Sequence, residues 1–111
     1  MQTTQIGEAT LLLGDAFDIL PGLDPVDVVI TDPPYGSQTR EGARTAFANR
    51  PAPLIDFDSI AEDQFIAFCA HAVVLARRWV IMSCEWRYVA SLERAGLPMV
   101  GFGIWHKVGG F

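Results

Sequence analysis

The sequence is poor in several things, and each scarcity closes off a class of protein. It has two cysteines, Cys69 and Cys84, both inside apolar stretches and at no metal-ligand spacing. That pattern reads as two small apolar core residues, not as a disulfide framework or a metal centre. It has two histidines; His71 lies in a helical pattern with no second ligand at useful spacing, and reads as a surface or packed residue. No apolar run approaches the roughly 18 residues that a membrane-spanning helix needs. Met1 to Ala9 carries neither a basic region nor a signal-like apolar core, so a cytoplasmic protein with no membrane attachment is expected. Repeats and low-complexity tracts are absent. Basic residues are scarce as well: 8 Lys and Arg stand against 13 Asp and Glu, a net charge of −5. A chain that grips duplex nucleic acid normally carries a basic footprint, and this one as a whole does not. The segment Gly36 to Pro53 departs from that trend, with Arg40, Arg44 and Arg50 against Glu41 alone, or +2, which leaves −7 elsewhere. Plain solvation accounts for three loop arginines as readily as phosphate contact does.

What is present fits one small domain: 111 residues, half of them hydrophobic, enough for one core and not two. Ala9 to Leu13 reads as a first strand that exits sharply at Gly14-Asp15. Ala16 to Leu20 can make one or two helical turns before Pro21-Gly22, with Asp15 as an ordinary N-cap. The β-branched run from Val26 is the pattern of a strand buried on both faces of a parallel sheet. A long Pro-, Arg- and Ala-containing stretch, Ser37 to about Phe57, follows; loops of that length are uncommon in compact domains unless functional or disordered. Ser59 and Glu62 spell a capping box. Phe65, Phe68, Cys69, Ala72, Leu75 and Ala76 then recur at helical spacing as the buried stripe of a crossover helix, with Arg77 and Arg78 at its C-terminal end, where the helix dipole favours cations. Trp79 to Ser83 reads as a strand. Glu85 to Ala95 reads as a helix with Trp86, Val89 and Leu92 on one face, stopped by Gly96 and Pro98. Met99 to Trp105 reads as a last strand, interrupted by Gly101 and Gly103. Alternating strands and helices call for an α/β fold with a mostly parallel sheet.

One stretch carries chemistry: Val26-Asp27-Val28-Val29-Ile30-Thr31-Asp32-Pro33-Pro34-Tyr35-Gly36. The two prolines remove two backbone donors and fix two φ angles, so the strand must stop at Asp32. A carboxylate, a rigid carbonyl and an aromatic ring are thereby gathered at the carboxyl end of a strand, where open α/β sheets bind ligands. The exocyclic amine of a nucleobase is a poor nucleophile, because its lone pair is delocalised into the ring. Asp32 and the Pro33 carbonyl, held by Pro34, are two pre-organised acceptors that could draw such a nitrogen toward tetrahedral geometry. Tyr35 could stack on a base taken out of its helix. No metal is required. The prolines alone would be explained by a strand that has to end, but that explanation is silent on the Asp and Tyr flanking them.

This stretch resembles the catalytic motif of the S-adenosylmethionine-dependent DNA amino-methyltransferases, which modify adenine N6 or cytosine N4. Gly14-Asp15, the spacer and the Asp-Pro-Pro-Tyr strand together look like the N-terminus of the permuted, motif-first members. Trp105-His106-Lys107 is similar to the Trp-x-Lys found further on in many of them. The resemblance implies a Rossmann-like methyltransferase fold and S-adenosylmethionine as cofactor. It further implies DNA as partner, with a link to restriction-modification. Catalytic roles would fall to Asp32, Pro33, Pro34 and Tyr35; cofactor contacts to Asp15, Ala16 and Asp32; and substrate contacts to Tyr35, Gly36, Arg40, Arg44 and Lys107. Asp in the first position of the motif leans toward adenine.

The family's glycine-rich Phe-x-Gly-x-Gly loop, which holds the methionine part of the cofactor, is not in this sequence. Gly101-Phe102-Gly103 is the nearest glycine pair and opens no helix. The resemblance therefore covers about the first half of such an enzyme, and a truncated or split form is expected, with a complementary chain or C-terminal half supplying the loop. In the complete fold two further strands separate the Gly14-Asp15 strand from the Asp32 strand, so a gap or a rearranged pairing is expected between them. Two other functions stand beside the first: an RNA or protein-glutamine amino-methyltransferase, and an inactive remnant or interaction module of the same fold.

Overall fold

Gly7 organises the N-terminus. In the computed structural model, which describes residues 1–37, 59–105 and 108, strand β1 (Gln2–Ile6) pairs antiparallel with β2 (Ala9–Leu13) through a two-residue link. Gly7 takes the first link position at φ +59°, the left-handed geometry of a type II′ hairpin turn that a side chain would strain. After β2, Asp15 caps helix α1 (Ala16–Ile19), its Oδ1 accepting from the Phe17 N–H at 2.8 Å. A single 3₁₀ turn, Leu20–Gly22, ends that excursion.

The second half is a β-α-β unit. Strand β3 (Val26–Thr31) runs parallel to β4 (Ala76–Met82), with the 14-residue helix α2 (Glu62–Leu75) between them in the chain. Pairing aligns Val28 with Trp79, Val29 with Val80, Ile30 with Ile81 and Thr31 with Met82. Helix α3 (Trp86–Arg94) follows. Phe65, Cys69, Ala72 and Leu75, three or four apart along α2, are its buried face; Phe65 and Cys69 form the core with Leu92 of α3. Ile60, Met82, Cys84, Tyr88 and Leu97 pack around them. Phe17 meets the α2 rings of Phe68 and His71 edge-on, at 6.3 and 6.5 Å, which seats α1 on α2.

The chain is α/β, and several sequence expectations are corrected. One mostly parallel sheet is not formed: β1–β2 and β3–β4 are separate two-stranded sheets, β2 pairing antiparallel with the adjacent strand, and the gap expected between the Gly14-Asp15 strand and the Asp32 strand is present among the described residues. β3 was expected to be buried on both faces. Val29 and Thr31 are partly covered, but Val28 and Ile30 are exposed, as are their neighbours Trp79 and Ile81. One face of the parallel pair meets the helices, and no described element packs on the other. Met99 to Trp105 is no strand: it has no ladder partner, and Val100, Phe102 and Ile104 are exposed. Glycines at 101 and 103 weaken strand formation, and only a sheet edge could offset that.

Two boundaries and one helix face also differ. Helix α2 is capped by Ala61, with Gln64 Oε1 accepting from the Ala61 N–H at 3.2 Å. Ser59 and Glu62 do not form the box, because Ala61 is still extended (ψ 155°) and the helix begins only at Glu62; Ile60 before it is held by its N–H to Tyr35 O and its carbonyl to the Tyr88 hydroxyl. Arg77 and Arg78 lie in β4, not in the helix. The ladder steps from Val26–Ala76 to Val28–Trp79, a bulge that sets two arginines against Asp27. Trp86 is largely exposed, under the Arg87 guanidinium at 4.8 Å, and the inner side of α3 is Tyr88, Ser91 and Leu92 instead. The predicted stop is realised. Gly96 takes φ +74°, Gly96 N–H donates to Glu93 O and Leu97 N–H to Leu92 O, a Schellman end with Leu97 folded onto the core. The stretch Ser37 to Phe57 lies outside the described residues beyond Ser37 itself.

Candidate functional site

The motif sits where β3 gives out. The last ladder contact is Thr31 with Met82, extended by the Ser83 N–H donating to Thr31 O at 3.2 Å. Beyond it Asp32 is exposed, Pro33 buried, Pro34 exposed, Tyr35 39% exposed and Gly36 buried. Among the described residues no ion pair holds Asp32. The carboxylate and the aromatic ring therefore face solvent at the strand tip, while the chain on either side of the ring is anchored. The Tyr35 hydroxyl is pushed above the usual tyrosine range, first by partial burial and then by the charge and hydrogen-bonding reach of Asp32; the nearby Ser83 hydroxyl acts in the opposite direction. Asp32, Tyr35 and Ser83 thus share one small polar neighbourhood at the carboxyl ends of two parallel strands.

What secures this loop comes from α3, and the sequence pattern did not identify it. Glu85, the N-cap residue of α3, is buried, and its Oε2 accepts from the Gly36 N–H at 2.9 Å. Its Oε1 lies 3.8 Å from Arg87. The Tyr35 carbonyl, on the other side of the same peptide unit, accepts from the Ile60 N–H at 3.2 Å, and the Ile60 carbonyl accepts from the Tyr88 hydroxyl at 3.0 Å. Gly36 is close-packed here. A Cβ on it would lie 2.7 Å from both Glu85 Oε2 and the Tyr88 hydroxyl oxygen, so the approach requires glycine. The sequence signal is an acid at the start of a helix, shortly after an apolar strand and three residues before Tyr88.

Asp32, Pro33, Pro34, Tyr35 and Gly36 are contiguous and brought together by this frame. Asp15 and Ala16 are not joined to them by any sheet contact: they begin α1 at the end of β2, in the other sheet. Arg40, Arg44 and Lys107 lie outside the described residues. Trp105 is almost fully exposed and packs on nothing in the core. A depression of about 100 Å³ runs between the Leu20–Pro25 segment and His71, Val74 and Leu75 of α2; it includes no residue of the motif.

Among the described residues no site for S-adenosylmethionine is assembled. Asp15 has one carboxylate oxygen engaged in capping Phe17, β2 is not registered against β3, and no glycine loop opening a helix is in the sequence. What the arrangement offers is an acceptor-rich, half-open tip able to receive the hydrogen bonds of an amine and the face of a flat ring. Compared with models of protein families, with curated proteins and with solved structures, the chain matches none.

Proposed function

We propose that this chain is the target-amine half of an S-adenosylmethionine-dependent DNA amino-methyltransferase, with adenine N6 as the preferred acceptor. The observation that carries the proposal is the pairing of an exposed Asp32 with a half-exposed Tyr35 at the tip of β3, on a backbone anchored through Gly36. The Asp32 carboxylate and the Pro33 carbonyl accept the two amine N–H groups. This localises the nitrogen lone pair and directs it away from the ring plane, and Tyr35 covers one face of the extruded base. The methyl donor is held by residues beyond those placed at the tip. β3 and β4 are then neighbouring strands of a Rossmann-like sheet, a reading supported by their parallel pairing, by the helix connecting them and by the motif lying at their carboxyl ends.

The acceptor site can be tested without the donor. Titration of the ¹⁵N-labelled full chain with adenosine should move the Asp32, Tyr35 and Gly36 amide resonances saturably, with roughly millimolar affinity. N6,N6-dimethyladenosine, which has no amine hydrogen to donate, should move them at least about tenfold more weakly, as expected for loss of charge-assisted hydrogen bonds. Asp32→Ala should abolish the difference between the two ligands. Equal responses to both nucleosides, or no response at the motif to either, would refute the assignment.

A further inference from the structure

We infer that Glu85, with Tyr88 one helical turn later, is a positioning residue that clamps the Tyr35–Gly36 peptide and so sets the direction in which Tyr35 and Asp32 face. The clamp follows from geometry alone; its bearing on a target amine rests on the function proposed above. The peptide is held from both sides. Its N–H donates to Glu85 Oε2 at 2.9 Å, and its carbonyl accepts from Ile60, whose own carbonyl takes the Tyr88 hydroxyl at 3.0 Å. Glu85 and Tyr88 stand on one side of α3, three residues apart, and Tyr88 packs at a tilt of 33° against the core ring of Phe65, centroids 5.1 Å apart. Helix α3 is in turn pinned to the core by Leu92. An orientation of the peptide is thereby transmitted from the core to the strand tip by two side chains 49 and more residues away in sequence. Glu85 acts through the backbone, since its carboxylate meets the Gly36 N–H; a shift of the Tyr35 ring confined to the variant that keeps the charge and shortens the reach therefore reports movement of the ring and not a lost charge.

The test uses the full chain and two substitutions of opposite character. Glu85→Gln keeps the reach and an acceptor oxygen but removes the charge; Glu85→Asp keeps the charge but is one methylene too short. The clamp predicts that hydrogen exchange at the Gly36 amide accelerates only about fivefold or less in Glu85→Gln, where a neutral bond replaces a charge-assisted one, and at least about tenfold in Glu85→Asp. The Tyr35 ring resonances should shift in the Asp variant only, and adenosine affinity should fall with them. Tyr88→Phe, which leaves Glu85 in place, should accelerate exchange at the Ile60 amide, and it serves as the readout if Glu85→Asp does not fold. The reverse pattern, with Asp retaining protection and Gln losing it, would overturn the clamp in favour of a charge effect. Unchanged exchange at Gly36 in Glu85→Asp, or at Ile60 in Tyr88→Phe, would overturn it outright. If the clamp responds as described while the native chain ignores adenosine, the proposed function fails and the clamp stands.

Discussion

Gly36→Ala probes the frame around the motif with a single methyl group. The added Cβ would lie 2.7 Å from Glu85 Oε2 and 2.7 Å from the Tyr88 hydroxyl oxygen, and 3.2 Å from Glu85 Cδ. Both crowded oxygens are the ends of side chains and could swing aside, but each is already engaged: Glu85 with the Gly36 N–H, Tyr88 with the Ile60 carbonyl. Making room breaks one charge-assisted hydrogen bond, worth about 1.5–3 kcal/mol, and one neutral bond, worth about 0.5–1.5 kcal/mol. Restricting the unfolded chain offsets about 0.4–1 kcal/mol. The net loss is about 1–4 kcal/mol, centred near about 2.5, from a total that for a domain of this size is about 5–15 kcal/mol, and the melting midpoint falls by roughly 10 °C. Urea unfolding followed by circular dichroism measures it. Gly101→Ala is the control, since a Cβ there meets nothing within 4 Å; it should be neutral or slightly stabilising. A Gly36→Ala variant within about 0.5 kcal/mol of the native chain, the range of ordinary surface substitutions, would show that the packing around Gly36 is not tight.

Two further outcomes are expected. Burial pushes the Cys69 thiol up to about 11, with the Cys84 thiol adding to the effect. The native state therefore keeps a proton that the unfolded chain releases near pH 8.5–9, so this contribution is complete below that pH and is lost as pH rises toward 11. Cys69→Ala should flatten the alkaline decline in urea midpoint between about pH 9 and 11; an identical decline in the variant would remove Cys69 as its source. Calorimetry of the isolated chain with S-adenosylmethionine should show no binding tighter than about 1 mM, because the donor side is not assembled by Asp15 and Asp32. Micromolar binding would contradict that description of the cofactor side.

The local features of this protein were legible in its sequence because each depends on a few adjacent residues. Two prolines end β3 after Thr31 by sterics and a missing donor; Asp15 caps α1; Gly96 closes α3 in the left-handed region; and apolar residues at helical spacing mark the face of α2 that is buried. The motif's position at a strand tip follows from the same short-range physics. Gly7-Glu8 is an equally local signal for the β1–β2 hairpin, but β1 (Gln-Thr-Thr-Gln-Ile) carries almost no apolar pattern to mark it as a strand.

Tertiary structure alone decided the rest. β-branched composition is the same whether a strand is covered on one face or two, so only the pairing of β3 with β4 shows Val28, Ile30, Trp79 and Ile81 together on one exposed face. The strand pattern of Val100, Phe102 and Ile104 forms no ladder, since a strand exists only with a partner edge. Glu85 could not be assigned to Gly36 from sequence, because their hydrogen bond spans 49 residues and arises from how α3 docks on α2. Steric and capping preferences act over one or two turns of chain. Pairing, burial and the clamp on Gly36 are contacts between segments that meet only once the core of Phe65, Cys69 and Leu92 has formed.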